Sequence, residues 1–197
     1  MQPQHDRGVP PTRLKLNVAQ YYDEAEKQGW PDRLNRGRFK YGWDSEMKRG
    51  FAVSRNVHLV LPGADRDREW QRVKLGMELE WSYYGPFGFA LVLSEPGDNF
   101  TMATSITAEI LQQKEVLIFG TADEVGEKLL KVKDAVYGDD FNITIWFELG
   151  GFQTEEIEEQ MQYFMEAVTP GLARACGGQL KNPEVNVQLV PPLPVRV

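Results

Sequence analysis

Hydrophobic and polar positions follow their most regular pattern between Leu117 and Pro170, where they predict a strand, a helix, a second strand and a second helix. The apolar run from Val116 to Phe119 has the length of a buried strand, and Gly120 ends it. Thr121 precedes Glu124 by three residues, which is the spacing of a capping box at the start of a helix. Strand and helix alternate, so the segment indicates an α/β fold with parallel strands.

The helix after this turn has a single apolar face and is followed by Gly138, a residue suited to the left-handed position that closes a helix. Its apolar positions recur every three or four residues: Val125, Leu129, Val132 and Val136. The next run, 141–147, is mostly β-branched or aromatic, so we expect a parallel strand covered on both faces. After the glycines at 150 and 151, Thr154 is the predicted N-cap of a helix that lasts to Pro170. The expected buried face of this last helix consists of Ile157, Met161, Phe164, Met165 and Val168.

Upstream, the pattern predicts a helix over 17–28, a strand over 51–61 and a long helix that begins near Asp65. One face of the long helix is apolar and is expected to pack on the sheet: Trp70, Val73, Met77, Trp81 and Tyr84. Residues 85–103 are expected to form an ordered loop or insertion before a short helix over 104–113. We therefore expect an N-terminal arm over 1–16, one domain over 17–176 and an extended C-terminal tail over 177–197.

Three stretches of the chain together resemble the C-terminal part of the luciferase-like flavin-dependent monooxygenase family, and the likeness spans about residues 17 to 175. The strongest stretch comprises the turn Gly120, Thr121, Ala122, Asp123, Glu124, then Ile145, Trp146, Phe147 and Leu149 before the glycine pair, then the closing helix. The strand over 51–60 and the aromatic run from Tyr83 to Phe89 are similar to the family's later barrel units.

The resemblance implies an α/β fold of the luciferase-like TIM (β/α)8 barrel type, here a partial barrel made of the later β/α units. A complete barrel needs about 250 residues, whereas this chain has 197. We therefore expect the first strands of the family, which carry most flavin contacts, to lie outside this sequence. A homo-oligomer or a partner chain would then complete the barrel.

The implied activity is the oxidation of a small organic substrate with O2 and reduced flavin, FMN, in a site that excludes water. Two alternatives stay open: a non-catalytic truncated barrel that acts as a binding or subunit-interaction protein, and an oxidoreductase of the same barrel family that uses a deazaflavin. The sequence assigns no residue to catalysis or to flavin binding.

Glu148, Gly150 and Gly151 are the candidate rim of a binding site, because they follow a strand at its carboxyl end, where barrels place their chemistry. The alternative reading of the two glycines is a tight exit turn without a ligand. The loop over 85–103 is a candidate cover for the barrel mouth, although its aromatic residues suit burial in the core equally well.

Composition limits the remaining possibilities. A formal net charge of -7 disfavours a nucleic-acid or anionic-membrane surface, and we interpret the basic set Arg33, Arg36, Arg38 and Lys40 as a solvated loop. The single cysteine, Cys176, and the two histidines, His5 and His58, have no metal-ligand spacing, so no metal site is predicted. Neither a secretory signal nor a membrane span is recognisable, which predicts a cytoplasmic protein without membrane partners.

Overall fold

The computed structural model describes residues 4–7, 10–29, 51–135 and 142–177. The strands are β1 (Gln4–Arg7), β2 (Phe51–Leu59), β3 (Leu117–Gly120) and β4 (Asn142–Trp146). The helices are α1 (Pro11–Lys27), α2 (Arg66–Tyr84), α3 (Phe89–Val92), α4 (Ala108–Gln113), α5 (Ala122–Ala135), α6 (Thr154–Tyr163) and α7 (Thr169–Ala175). A 3-10 turn, Gly85–Phe87, precedes α3, and a π-helical turn, Phe164–Val168, joins α6 to α7.

Strand β2 is the centre of a four-stranded sheet in which every described pairing is parallel. Residues 52–56 of β2 pair with all of β4 along one edge. Along the other edge, β1 pairs with residues 51–54 and β3 with residues 56–59. The α/β class with parallel strands is therefore confirmed.

The strand order differs from that of a TIM barrel. Successive strands of a barrel are neighbours around a closed sheet, whereas β3 and β4 lie on opposite edges of β2. The described sheet is therefore open, because β2 alone joins its two sides.

The two faces of the sheet pack against different helices. On one face, called here the α5 face, Val57 and Leu59 of β2 join Ile118 of β3 against α5 and the π-helical turn. The opposite face, called the α2 face, carries Leu117 and Phe119 of β3 into a core shared with α2 and α4. Consecutive side chains of a strand point to opposite faces of the sheet. Ile118 therefore lies on the α5 face, whereas its neighbours Leu117 and Phe119 lie on the α2 face.

A glutamine completes the backbone hydrogen bonding of β2 beyond the end of β4. Gln160 on α6 is buried, its Oε1 accepts from the Leu59 N–H at 2.7 Å, and its Nε2 donates to the Leu59 carbonyl at 2.9 Å. Strand β4 ends its pairing at Asn56, so the side-chain amide takes the place of a further strand residue at Leu59. An unpaired buried peptide group is costly, so this contact fixes α6 to the sheet.

This glutamine also changes the predicted buried face of α6. Met161 and Met165, expected in the core, are each half exposed, while Phe164 and Val168 are buried as expected. The helix turns Gln160 inward instead, because its amide satisfies two backbone groups that a methionine cannot. The predicted N-cap also shifts by one residue: Thr154 is the first helical residue, and Glu156 reaches back to the N–H of Gln153.

The first 16 residues hold more regular structure than the arm that the sequence predicted. Strand β1 lies within them, and α1 begins at Pro11, six residues before the expected start at 17. Proline suits the first turn of a helix because it lacks only an N–H that would have no helical partner. Leu14 is fully buried beside Val18, which extends the apolar stripe of α1 toward the N-terminus.

The helix starts predicted before α2 and α5 are both confirmed. Asp65 accepts hydrogen bonds from the N–H groups of Asp67 and Arg68 at the start of α2. At α5, the Thr121 N–H donates to Glu124 Oε2 at 2.7 Å and the Glu124 N–H donates to Thr121 Oγ1 at 3.4 Å. The bonds from Thr121 and Arg66 hold the pKa of Glu124 at about 2.

Other predictions need correction or fall outside the described residues. Strand β4 is not covered on both faces, since Thr144 is exposed and Trp146 is 44% exposed. The predicted helix end at Gly138, the basic set at 33–40 and the tail over 178–197 lie outside the described residues. Among the described helices, none has both the length and the apolar character needed to cross a membrane.

Replacing Gln160 tests the amide contact with β2. We expect both Gln160→Ala and Gln160→Met to lower the free energy of unfolding by about 2–4 kcal/mol, because two buried backbone groups of Leu59 lose their partners. Methionine keeps the side-chain length, so a similar loss in both variants separates the hydrogen bonds from the volume. Gln162→Ala, on the exposed side of the same helix, should change stability by less than about 0.5 kcal/mol. Urea unfolding followed by circular dichroism measures all three, and an unaltered Gln160→Met protein would contradict this role.

Candidate functional site

A cavity of about 110 Å³ lies on the α2 face of the sheet and is the candidate functional site. It is bounded by β2, the carboxyl end of β4, the C-terminal half of α2 and the residues just before β3 and at the start of α3. Its lining consists of Ser54, Asn56, Glu80, Trp81, Tyr84, Phe89, Val116, Trp146 and Glu148. At this level of the sheet β4 reaches its carboxyl end, β2 is at its middle and β3 is at its start, because Asn56 pairs with both Trp146 and Leu117.

The floor of the cavity is polar because every second residue of β2 faces α2. Ser54 and Asn56 occupy this face, and the Trp146 Nε1–H of β4 donates to Ser54 Oγ at 3.3 Å. The Asn56 amide contacts Met77 Sδ at 3.8 Å, a long and weak interaction. The floor therefore offers an amide and a hydroxyl to a ligand, and one tryptophan is anchored beside them.

Two glycines set the distance between α2 and the β4 end of the cavity. A Cβ atom on Gly76 of α2 would lie 2.4 Å from the carbonyl oxygen of Gly150, so only glycine allows this approach. Gly151 follows with a φ of +88°, which glycine adopts without strain. The contact brings the next turn of α2, with Glu80 and Trp81, over the strand end that carries Trp146.

Two carboxylates line the cavity, and no lysine, arginine or histidine does so among the described residues. Burial raises the pKa of Glu80, and the negative charge of Glu148 raises it further. Glu148 itself is exposed, at the open side of the cavity. Within the described parts of the chain, neither carboxylate has a hydrogen bond or ion pair with another side chain. Within the described residues, no cation pairs with either carboxylate to offset their mutual repulsion.

The segment over 85–103 forms part of the cavity wall and is held by two charged side chains. Phe89 packs against Tyr84 with ring centroids 5.2 Å apart, and both rings line the cavity. Lys114, almost buried, pairs with Glu95 and Asp98, while Arg13 of α1 donates to carbonyls at the end of α3. The segment contains short helices rather than a continuous loop. The aromatic run from Tyr83 to Phe89 contributes to two surfaces, since Tyr83 and Phe87 are exposed whereas Tyr84 and Phe89 line the cavity.

Of the three residues expected at a binding-site rim, Glu148 lines the cavity and Gly150 and Gly151 shape the turn beside it. Ser54, Asn56 and Glu80 also line the cavity and were not predicted from the sequence. Ser54 and Asn56 repeat every second position of a strand, a signal that could have identified a polar face. Glu80 has no comparable local signal, because its place in the cavity depends on how α2 crosses the sheet.

His58 belongs to a separate buried cluster near the carboxyl end of β2. Its Nε2 lies 3.1 Å from Glu69 Oε2, and its ring lies between Phe119 and Phe152. Glu69 also pairs with Arg72, which bonds Glu156 at 2.6 Å. Burial lowers the pKa of His58, although the hydrogen bond and charge of Glu69 oppose the shift. His58 is therefore a packed, hydrogen-bonded histidine.

The cavity described above does not make a complete flavin site. The cavity, at about 110 Å³, is smaller than typical cofactor pockets of about 300–1,000 Å³, and its charged groups would repel a phosphate. The N-terminus of α5, which follows β3, is already bonded to the Glu124 carboxylate. The described ranges also hold no group of three or more His, Cys, Asp or Glu side chains able to bind a metal.

The coupling between the two carboxylates is measurable. We expect Glu148→Gln to lower the pKa of Glu80 while leaving it above its ordinary value of 4.5, because burial is the larger cause of the shift. Titration of the Glu80 side-chain carboxyl carbon by NMR gives both values. Glu127→Gln, an exposed change on α5, is the control and should leave Glu80 unaltered. An identical Glu80 pKa in the Glu148→Gln protein would show that the two groups are not neighbours.

The His58 cluster should make stability depend on pH. The folded-state pKa of His58 lies below its ordinary value of 6.5, so the unfolded chain binds more protons as the pH falls below 6.5. Stability should therefore decrease from pH 7.5 to pH 5.5, by up to about 1.4 kcal/mol for each unit of pKa lowering. The loss should be smaller in His58→Gln, measured by urea unfolding at both pH values. An equal loss in both proteins would assign the pH dependence to other groups.

Comparison with known proteins leaves the family undetermined: no family model, curated protein or solved structure matches this chain. The resemblance described from the sequence stays a prediction, and the function has to be argued from the cavity and its residues.

Proposed function

We propose that this chain contributes the substrate-facing wall of a luciferase-like flavin-dependent monooxygenase, and that most flavin contacts come from outside the described residues. The observation that carries the proposal is the position of Trp146 and Glu148. They belong to the stretch that resembles the family, and both border the cavity at the carboxyl end of a parallel strand. α/β proteins commonly bind ligands with residues at and just after the carboxyl ends of their strands.

The cavity residues can bind and orient a small organic substrate. Trp81, Tyr84 and Phe89 supply apolar surface that excludes water, and Asn56 offers a hydrogen-bonding amide on the floor. In such an enzyme the reduced flavin supplies the reaction with O2, so the protein's part is to bind the substrate and keep the site dry.

The barrel implied by the resemblance would require more than the described sheet. It needs further strands, and it needs β3 and β4 to be neighbours rather than to lie on opposite edges of β2. We propose that a partner chain or a second copy supplies the further strands. Such an assembly does not alter the order of β3 and β4 about β2, so the proposal concerns the substrate-facing wall and not a closed barrel.

One observation favours the alternative of a non-catalytic interaction protein. Leu75, Leu79 and Tyr83 recur at four-residue intervals on α2 and are each about 70% exposed, and Phe87 continues the row. Exposed apolar rows of this kind mark contact surfaces. The row faces away from the core, so a partner on it would leave the cavity accessible.

Flavin titrations test the proposed function. We expect riboflavin to bind the folded chain weakly and FMN to bind no more tightly, because the cavity offers aromatic surface while its two carboxylates repel the phosphate. Trp146→Ala should weaken riboflavin binding about fivefold through the loss of aromatic contact. Tyr83→Ala, an exposed aromatic change outside the cavity, is the matched control. Quenching of flavin fluorescence at constant ionic strength measures the affinities, and a deazaflavin can be titrated in the same way.

Three results would count against the proposal. Failure of both flavins to bind a folded chain would remove the flavin role of this chain on its own, and self-association of that same chain would then favour the interaction protein. Binding of FMN more than about tenfold tighter than riboflavin, equal to about 1.4 kcal/mol, would show a phosphate site in this chain. An unchanged affinity in Trp146→Ala would place the flavin away from the cavity.

A further inference from the structure

We propose that the cavity is a binding site for a small organic cation, specifically an alkylammonium group. The charge of its lining is the first argument. Glu80 and Glu148 both border it, and the described lining contains no basic side chain to neutralise them. A cation entering the cavity would meet two carboxylates, whereas an anion would meet only repulsion.

The aromatic lining is the second argument and is independent of the carboxylates. Trp81, Tyr84, Phe89 and Trp146 line the space, and they are four of the nine described lining residues. Aromatic faces attract ammonium groups, quaternary ones above all, through the ring quadrupole. A cavity that combines several aromatic rings with negative charge has the chemistry of an ammonium-binding cage.

The size of the cavity limits the ligand to a small head group. A volume of about 110 Å³ approaches that of the engineered protein cavity of about 150 Å³ that holds benzene. A methylated ammonium group fits such a space, and its longer substituent would leave through the open side next to Glu148. Metal ions are disfavoured, because the described lining contains two carboxylates but no group of three or more His, Cys, Asp or Glu side chains, and four of its residues are aromatic.

The raised pKa of Glu80 links ligand binding to protonation. The carboxylate is partly buried without a partner, so it holds its proton more strongly than an exposed glutamate does. A bound cation would stabilise the ionised form and lower that pKa. Affinity for an ammonium ligand should therefore fall as the pH is lowered through the pKa of Glu80.

Choline and its neutral isostere 3,3-dimethyl-1-butanol provide a direct test on the full chain. At constant ionic strength and pH 7.5, we expect choline to bind at least about tenfold more tightly than the alcohol, since only choline gains the Coulomb attraction. Calorimetry and tryptophan fluorescence measure both ligands. Choline should also lower the pKa of Glu80 followed by NMR.

Paired variants identify the groups responsible. Glu148→Gln should weaken choline binding about tenfold without changing the weak affinity for the alcohol, because only choline is charged. Trp146→Ala should weaken choline binding about fivefold. Glu127→Gln is the matched control, since it removes one exposed carboxylate away from the cavity and should alter the affinity less than about twofold. Glu80→Gln is a second variant, which removes the charge of the partly buried carboxylate. Circular dichroism checks that this variant folds.

Equal affinity for choline and the alcohol would overturn the proposal, because the site would then recognise apolar volume alone. No choline binding by the folded chain, or an equal loss in Glu148→Gln and Glu127→Gln, would also overturn it. That the ammonium compound is the oxidised substrate rests on the proposed function. The two claims separate experimentally, because choline binding without riboflavin binding removes only the flavin role, and the reverse result removes only the cation site.

Discussion

Backbone pairing along β2 is the interaction on which the rest of the described structure depends. The other three described strands each pair with β2, so its peptide groups hold together segments that are far apart in sequence. The strand is completed at Leu59 by the amide of Gln160, a contact between residues 101 positions apart. The edge strands of an open sheet have backbone groups that need hydrogen-bond partners or a covering element. At Leu59 of β2, the Gln160 side chain of α6 provides those partners. The position of α6, and with it the turn that follows β4, is therefore tied to β2.

The cavity follows from the same arrangement. Because β2 is central, one of its faces is covered by α5 and the other by α2, and the polar residues of the second face are enclosed under a helix instead of exposed to water. The contact of Gly76 with Gly150 lets α2 lie close to the end of β4, which closes the space around Trp146. A larger residue at position 76 would move the helix outward, because the atoms it would meet are backbone atoms that cannot rotate away. Cavity shape here is thus a consequence of backbone packing and not of the lining side chains alone.

Local features of the fold could be predicted from the sequence, and long-range ones could not. The capping box of Thr121 with Glu124 involves residues three apart, so its spacing alone carries the information. The buried face of α6 is only partly predictable from the sequence. Periodicity identifies an apolar stripe of the helix, but it does not show that Gln160 forms hydrogen bonds with two backbone groups of β2. Strand β1 has four residues and no repeat, and its structure comes from pairing with β2. At the site, Glu148 could be selected by its place after a strand, whereas Glu80 required the crossing of α2 over the sheet.

The two carboxylates of the cavity are better explained by a ligand than by stability. Elsewhere in the described chain, acidic side chains on packed surfaces have cationic partners, as Glu124 has Arg66 and Glu156 has Arg72. Glu80 instead loses hydration on burial and faces a second negative charge, and both effects disfavour its ionised form. A glutamine or leucine at position 80 would remove that cost without disturbing the aromatic wall. An acidic residue in such a place therefore fits a site that binds a positively charged ligand.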